Sequence, residues 1–162
     1  MNDMIRARVL FVCMGNICRS PTAQGVFGKL LQREGLQTVI GADSAGTHAY
    51  HAGEPPDVRA QEAALRRGID LSDLRARLVK PEDFSRFEYV LAMDQEIYRN
   101  LSVICPRGAE NRLMLFMEFA PHLRTREVPD PYYGGRSGFE RVFDMIEAAS
   151  EGLLADIRRR FL

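Results

Sequence analysis

The apolar run Val9-Leu-Phe-Val12, the eight residues Cys13-Met-Gly-Asn-Ile-Cys-Arg19-Ser20 and the stretch Pro21-Thr-Ala-Gln-Gly-Val-Phe27 together constrain this fold more than any other part of the chain. A short apolar run bounded by a glycine-containing loop predicts a buried strand. A Ser-Pro pair opening a helical pattern predicts a helix start. Ser20 is expected as the capping hydroxyl and Pro21 in the first turn, where a missing N–H costs nothing. Strand, tight loop and helix N-terminus bring unpaired amides and the positive end of a helix dipole to one point, which favours an anion. Arg19 adds a planar, permanently charged fork matched to phosphate oxygens. Residues Met14, Gly15, Asn16, Ile17, Cys18, Arg19 and Ser20 thus form a candidate phosphate-binding loop. The same field favours a thiolate at Cys13, placed to attack phosphorus in line and form a cysteinyl-phosphate. Cysteine and arginine at this spacing are a weak signal alone; the strand before and the helix after make it a strong one.

The rest of the chain reads as apolar runs alternating with helical patterns, the mark of a parallel sheet covered by helices. Strands are expected near Arg8–Val12, Thr38–Asp43, Glu88–Met93 and Arg112–Phe116, and helices over Pro21–Glu34, Asp57–Arg67, Gln95–Ile104 and Gly138–Arg160. In the last helix Phe139, Val142, Phe143, Ile146, Ala149, Leu153 and Ile157 recur at helical spacing, a stripe that belongs to the core. The predicted fold class is α/β: a single-domain, four-stranded parallel twisted sheet with helices on both faces, spanning residues 1–162, with the phosphate-binding loop after the first strand. Right-handed crossovers with the second and third strands on opposite sides of the first put that loop at the topological switch point, where such sheets bind ligands.

Composition limits the partners. Lysine plus arginine and aspartate plus glutamate number 22 each, so no global charge points to nucleic acid or an anionic membrane. The N-terminal residues lack a signal-peptide pattern and no apolar run approaches membrane-spanning length, so a cytoplasmic protein is expected. Three cysteines argue against a disulfide framework and for a reducing compartment. Cys13 and Cys18 are not spaced as a zinc pair and have no nearby histidine, so neither metal nor cofactor is expected. Sharing one short loop, they are instead a candidate redox pair, joined once peroxide has oxidised Cys13.

A second constellation is Pro129-Asp130-Pro131-Tyr132-Tyr133-Gly134-Gly135. Two prolines restrict the backbone around Asp130, so its carboxyl is presented stiffly from a loop, as suits a proton donor to a departing oxygen. Tyr132 and Tyr133, with Tyr50, are candidates for an aromatic rim that would favour aryl phosphates over shorter serine phosphates.

These residues resemble the low-molecular-weight protein tyrosine phosphatases, whose signature reads Cys-x-Gly-Asn-x-Cys-Arg-Ser-Pro near the N-terminus. Asp43-Ser44-Ala-Gly-Thr, Pro56-Asp57-x-Arg59, Tyr89-x-Leu-x-Met-Asp94 and Asp130-Pro-Tyr-Tyr-Gly134 are similar to family segments in the same order, covering nearly the whole chain. The resemblance implies Cys13 as nucleophile, Arg19 as phosphate clamp and Asp130 as general acid, with Asn16, Ser20 and Ser44 forming the network that supports the loop. His48 and His51 lie near the rim in the family; no histidine, His122 included, is assigned a catalytic part. Many members carry a histidine where this chain has Leu74, so the support of the loop must differ here. The implied partner is a phosphotyrosine-containing protein, with bacterial tyrosine kinases as precedent, and the implied state is a monomer or weak self-association.

Three classes stay open at this point: a phosphotyrosine phosphatase, an arsenate reductase on the same scaffold, and a non-catalytic phosphate-binding module. The reductases relay electrons through two further cysteines, whereas only Cys105 lies downstream here. A binding module has no use for Cys13, Arg19 and Asp130 together. Relatives acting on phosphoarginine tend to have threonine after the loop asparagine; here it is Ile17, which favours tyrosine.

Overall fold

The computed structural model describes residues 4–131 and 135–162. Four strands, β1 (Ala7–Cys13), β2 (Ile40–Gly46), β3 (Tyr89–Ala92) and β4 (Leu113–Leu115), form one sheet in the order β2-β1-β3-β4. All pairings are parallel, with Phe11 opposite Ser44 on one side and Leu91 on the other. The order reverses at β1, so the loop leaving β1 sits at the switch point.

Alternation along β1 sorts its side chains between two apolar layers. Val9, Phe11 and Cys13 face a layer containing Phe27 and Leu31 of helix α1 (Arg19–Glu34), the alanines of α2 (Val58–Leu65), and Phe143, Ile146, Leu153 and Ile157 of α5 (Gly135–Phe161). Leu10 and Val12 face the other layer, with Phe84 of α3 (Asp83–Arg86) and Ile97 and Leu101 of α4 (Gln95–Ile104). Both faces of the sheet are therefore covered, which is why the strands read as continuous apolar runs. Phe11 anchors the larger layer, edge-on to Phe27 at 5.8 Å and to Phe116 at 5.1 Å between ring centres. Among the described residues no helix is long and apolar enough to cross a membrane.

Three departures from the sequence-based expectation bear on the site. β2 lies further along than Thr38–Asp43, because the Leu36 carbonyl takes the amides of Val39 and Ile40 and holds them in a turn. The strand then continues to Gly46, whose missing side chain is required there: a Cβ would lie 2.7 Å from the Met14 carbonyl oxygen. Helix α1 begins at Arg19, one turn position before the expected cap; Cys18 is the cap residue and makes no side-chain capping bond. Ser20 is thus inside the helix, and its hydroxyl is spent elsewhere. Finally, α3 and three 3-10 turns near Glu110, Phe116 and Pro121 are too short for any periodicity to reveal.

Candidate active site

Residues 13–20 wrap a cavity of about 190 Å³ lined by Cys13, Met14, Gly15, Ile17, Cys18 and Arg19 from the loop and by Tyr50, His51 and Asp130 from elsewhere. The loop keeps this shape because its carbonyls are engaged outside the cavity. Those of Cys13, Met14 and Ile17 accept from the amides of Thr47, His48 and Asp57 at 3.0, 3.0 and 2.8 Å. Carbonyl dipoles are thereby turned away from the place an anion would occupy, and the N-terminus of α1 points at it.

Asn16 and Ser20 lie beneath the loop rather than in the cavity wall, and Asn16 takes up the left-handed conformation (φ 60°) that asparagine tolerates better than most residues. The Asn16 amide orientation is fixed without ambiguity, since its Oδ1 faces the backbone N–H of Arg77 at 3.0 Å and an N–H can only donate. Nδ2 must then donate to Ser20 Oγ at 2.8 Å and to Ser44 Oγ at 3.0 Å. Ser44 Oγ in turn donates a hydrogen bond to Gln24 Oε1 at 2.7 Å. Ser20, already accepting from Asn16, has its hydrogen available for Cys13 Sγ at 2.9 Å, with the Ala45 carbonyl a longer alternative at 3.4 Å. The Asn16 backbone N–H donates to the same sulfur at 3.3 Å. Two donors therefore converge on Cys13 Sγ.

Arg19 is buried and fixed from behind. Its Nη1 donates to Asp94 Oδ2 at 2.6 Å and to the Val128 carbonyl at 3.0 Å, leaving the opposite side of the fork toward the cavity. Burial opposes its charge; Cys13, the Asp94 hydrogen bond and Asp130 outweigh burial and hold the guanidinium above its ordinary range. In the sequence Asp94 closes the family-like segment Tyr89-x-Leu-x-Met-Asp94 and precedes a helix, with no role assigned to it. It serves there too, with Oδ1 capping α4 at the Ile97 amide, 2.8 Å.

Asp130 stands at the mouth, 42% exposed, with Oδ2 4.0 Å from Arg19 Nη2. It is positioned through Val128, a fully buried residue whose amide donates to the Met93 carbonyl at 2.8 Å and whose carbonyl takes Arg19. Of the predicted rim, Tyr50 is 79% exposed and stacks on His48 with centres 5.5 Å apart, while Tyr132 and Tyr133 lie outside the described residues. His51 lines the cavity and pairs with Glu54 at 2.9 Å.

Cys18 also lines the cavity, and both loop cysteines are free. Burial first, and then Asp57, Cys13 and Asp130, push the Cys18 thiol well up against the smaller opposing effect of Arg59. Cys18 is accordingly a neutral thiol over the physiological range. Leu74 packs against the larger apolar layer. Among the described residues no group of three or more histidines, cysteines or carboxylates is gathered to hold a metal.

A cysteine under two donors, a buried arginine fork and a carboxyl at the mouth thus share one small cup. The chain belongs to the low molecular weight phosphotyrosine protein phosphatase family, whose model matches residues 8–161. It is 44% identical over 156 residues to the low molecular weight protein-tyrosine-phosphatase of Streptomyces coelicolor, covering 94% of each chain. Its structure is similar to that of the protein tyrosine phosphatase of Entamoeba histolytica with Hepes in the active site, at a TM-score of 0.91 and 40% identity over 94% of this chain and 97% of that one. It is also similar to YfkJ of Bacillus subtilis, at 0.90 and 39% identity over 98% and 97%.

Proposed function

We propose that this chain hydrolyses phosphotyrosine in proteins through a cysteinyl-phosphate on Cys13. The observation that carries the reading is the meeting of Cys13, Arg19 and Asp130, from the end of β1, the start of α1 and the segment before α5, around one cavity. Cys13 Sγ attacks phosphorus opposite the departing phenolic oxygen, and Asp130 gives that oxygen its proton. Arg19 and the loop amides take the equatorial oxygens as charge spreads over them. Water then attacks the thiophosphate, giving a proton to Asp130, and sulfur leaves as a thiolate that the Ser20 hydroxyl and the Asn16 amide receive.

Tyrosine is favoured because the sulfur lies buried at the floor while Tyr50 stands exposed at the rim, so the ester must be long, and a ring can stack on the wall for about 0.5–1.5 kcal/mol. Ile17 and Met14 supply apolar wall. The substrate is a phosphotyrosine-containing protein, a bacterial tyrosine kinase being the representative case, and the setting is the cytoplasm, where Cys13 and Cys18 stay reduced.

The test compares phosphotyrosine, phosphoserine and phosphoarginine peptides, and arsenate with a thiol reductant, without added metal. Turnover of phosphotyrosine is expected, with phosphate trapped on Cys13 by rapid quenching. Cys13→Ser should fall to background while still binding vanadate. Phosphate trapped on histidine or aspartate, or turnover of arsenate in place of phosphotyrosine, would overturn the assignment.

A further inference from the structure

Asn16 is held on two sides, and both paths lead to Arg77. On one path the Arg77 amide reaches Asn16 Oδ1 directly at 3.0 Å. On the other, Asn16 Nδ2 donates to Ser44 Oγ, the Ser44 amide donates to Asp43 Oδ1 at 2.8 Å, and Arg77 Nη2 and Nε grip Asp43 Oδ2 at 3.0 and 3.2 Å. The backbone between the paths is pinned as well, because the Gly46 amide donates to the Arg77 carbonyl at 2.8 Å and the Val79 amide to the Gly46 carbonyl at 2.9 Å. Gly46 is the point where β2 passes so close to the loop that no side chain fits.

What fixes the Arg77 side chain is Asp83. This carboxylate is 1% exposed, and Arg77 meets both its oxygens, Nη1 on Oδ2 at 3.1 Å and Nη2 on Oδ1 at 3.2 Å. The Lys80 amide supplies a further donor at 2.8 Å. A buried carboxylate without its cation is strongly unfavourable, so Asp83 dictates where the guanidinium stays, whereas the half-buried Asp43 contributes direction more than energy.

We propose that Arg77 is a positioning residue for the phosphate loop: clamped between Asp83 and Asp43, it keeps its own backbone amide on the Asn16 side chain and thereby keeps the Asn16 backbone N–H on Cys13 Sγ. The proposal rests on the reading of Cys13 as nucleophile. Leu74, three positions earlier, turns to the apolar core, so Arg77 is the residue of this segment that reaches the loop.

The double variant Arg77→Met/Asp83→Asn removes the clamp together with the buried charge, so folding is not lost to an unpaired carboxylate. Its unfolding midpoint is expected near that of the parent, with kcat for phosphotyrosine peptide reduced about ten- to a hundredfold and KM changed less, the signature of a displaced loop. Alkylation of Cys13 by iodoacetate, an anion drawn into the same cup, should slow in parallel. Arg77→Lys, which retains a charge for Asp83 but cannot span two carboxylates, should fall between. A merely structural role moves the midpoint and leaves both rates per folded molecule untouched. Either rate at the parental level in the double variant overturns the proposal; should that variant not fold, Arg77→Lys decides by the same criterion. If the parent itself turned over no phosphotyrosine, the proposed function would fail and the alkylation ratio would still judge Arg77.

Discussion

The two sides of the cavity are built differently. On the side of Cys13, the proposed nucleophile, Asn16 and Ser20 are buried and bonded to each other, to Ser44, to Cys13 and to Arg77, and the loop carbonyls are engaged by Thr47, His48 and Asp57. On the side of Asp130, the proposed acid, the carboxyl stands 42% exposed two residues beyond its buried anchor, Val128. The chemistry explains the contrast. Groups that stabilise developing charge are most effective when they need not reorganise, whereas a proton donor must meet leaving oxygens presented by different proteins. Arg19 couples the two sides, since the nitrogen that reaches Asp94 also holds the Val128 carbonyl.

Breaking the acid side alone gives the largest of the changes compared here. Asp130→Asn should slow turnover of phosphotyrosine about 10²–10⁴-fold, and much less for an activated aryl phosphate whose leaving group needs no proton. A uniform loss across leaving groups would mean that Asp130 only positions substrate. Arg19→Lys strikes the link between the sides: an ammonium cannot hold Asp94 and the Val128 carbonyl while offering a fork to phosphate. Loss of about 10²–10³-fold in kcat is expected although the charge is retained. Near-parental turnover would show that the loop amides suffice.

A smaller effect separates the two cysteines of the rigid side. Because Cys18 is held as a neutral thiol by burial, Asp57 and Cys13, peroxide and iodoacetamide near neutral pH should modify Cys13 first. Oxidation of Cys13 by peroxide gives a sulfenic acid; attack by Cys18 sulfur expels water and leaves a Cys13–Cys18 disulfide that added thiol reduces. Cys18→Ser should be inactivated at a similar rate but recover less on reduction. Equal recovery, or no such linkage by mass spectrometry, would make Cys18 a packing residue only.

Legibility in the sequence follows the range of the interactions. The strand, loop and helix around Cys13 are written in consecutive residues, and the alternating layers of β1 in its period of two. Gln24 lies four residues after Ser20 on the same helix and Asp94 sits at a strand-to-helix junction, so each had a local signal that points to support without saying what is supported. Arg77 and Asp83 had none, because their meaning is a through-space pairing with Asp43 and Asn16. The Ser20 hydroxyl misled for the complementary reason: its position fits a helix cap, and a buried sulfur 2.9 Å away is the partner it finds instead.

The sharpest test of the over-determined side is to add to it. Leu74 occupies the position where many relatives of this family carry a histidine, and Leu74→His would return an imidazole to the segment that supports the loop. Both Asn16 Nδ2 hydrogens are already spent on Ser20 and Ser44, and Oδ1 already receives the Arg77 amide, so a new donor would meet a side chain that needs no further fixing. The half-buried leucine would meanwhile lose its contact with the apolar layer. We expect kcat to change by less than about threefold, below the scale of a displaced catalytic group, and stability to fall by about 1 kcal/mol, the ordinary cost of a polar replacement at an apolar site. Peptide turnover and thermal unfolding measured on the same preparation would check both. A tenfold rise in kcat would show that the Asn16 network leaves the loop loose, and the picture of a fully fixed loop around Cys13 would then have to be given up.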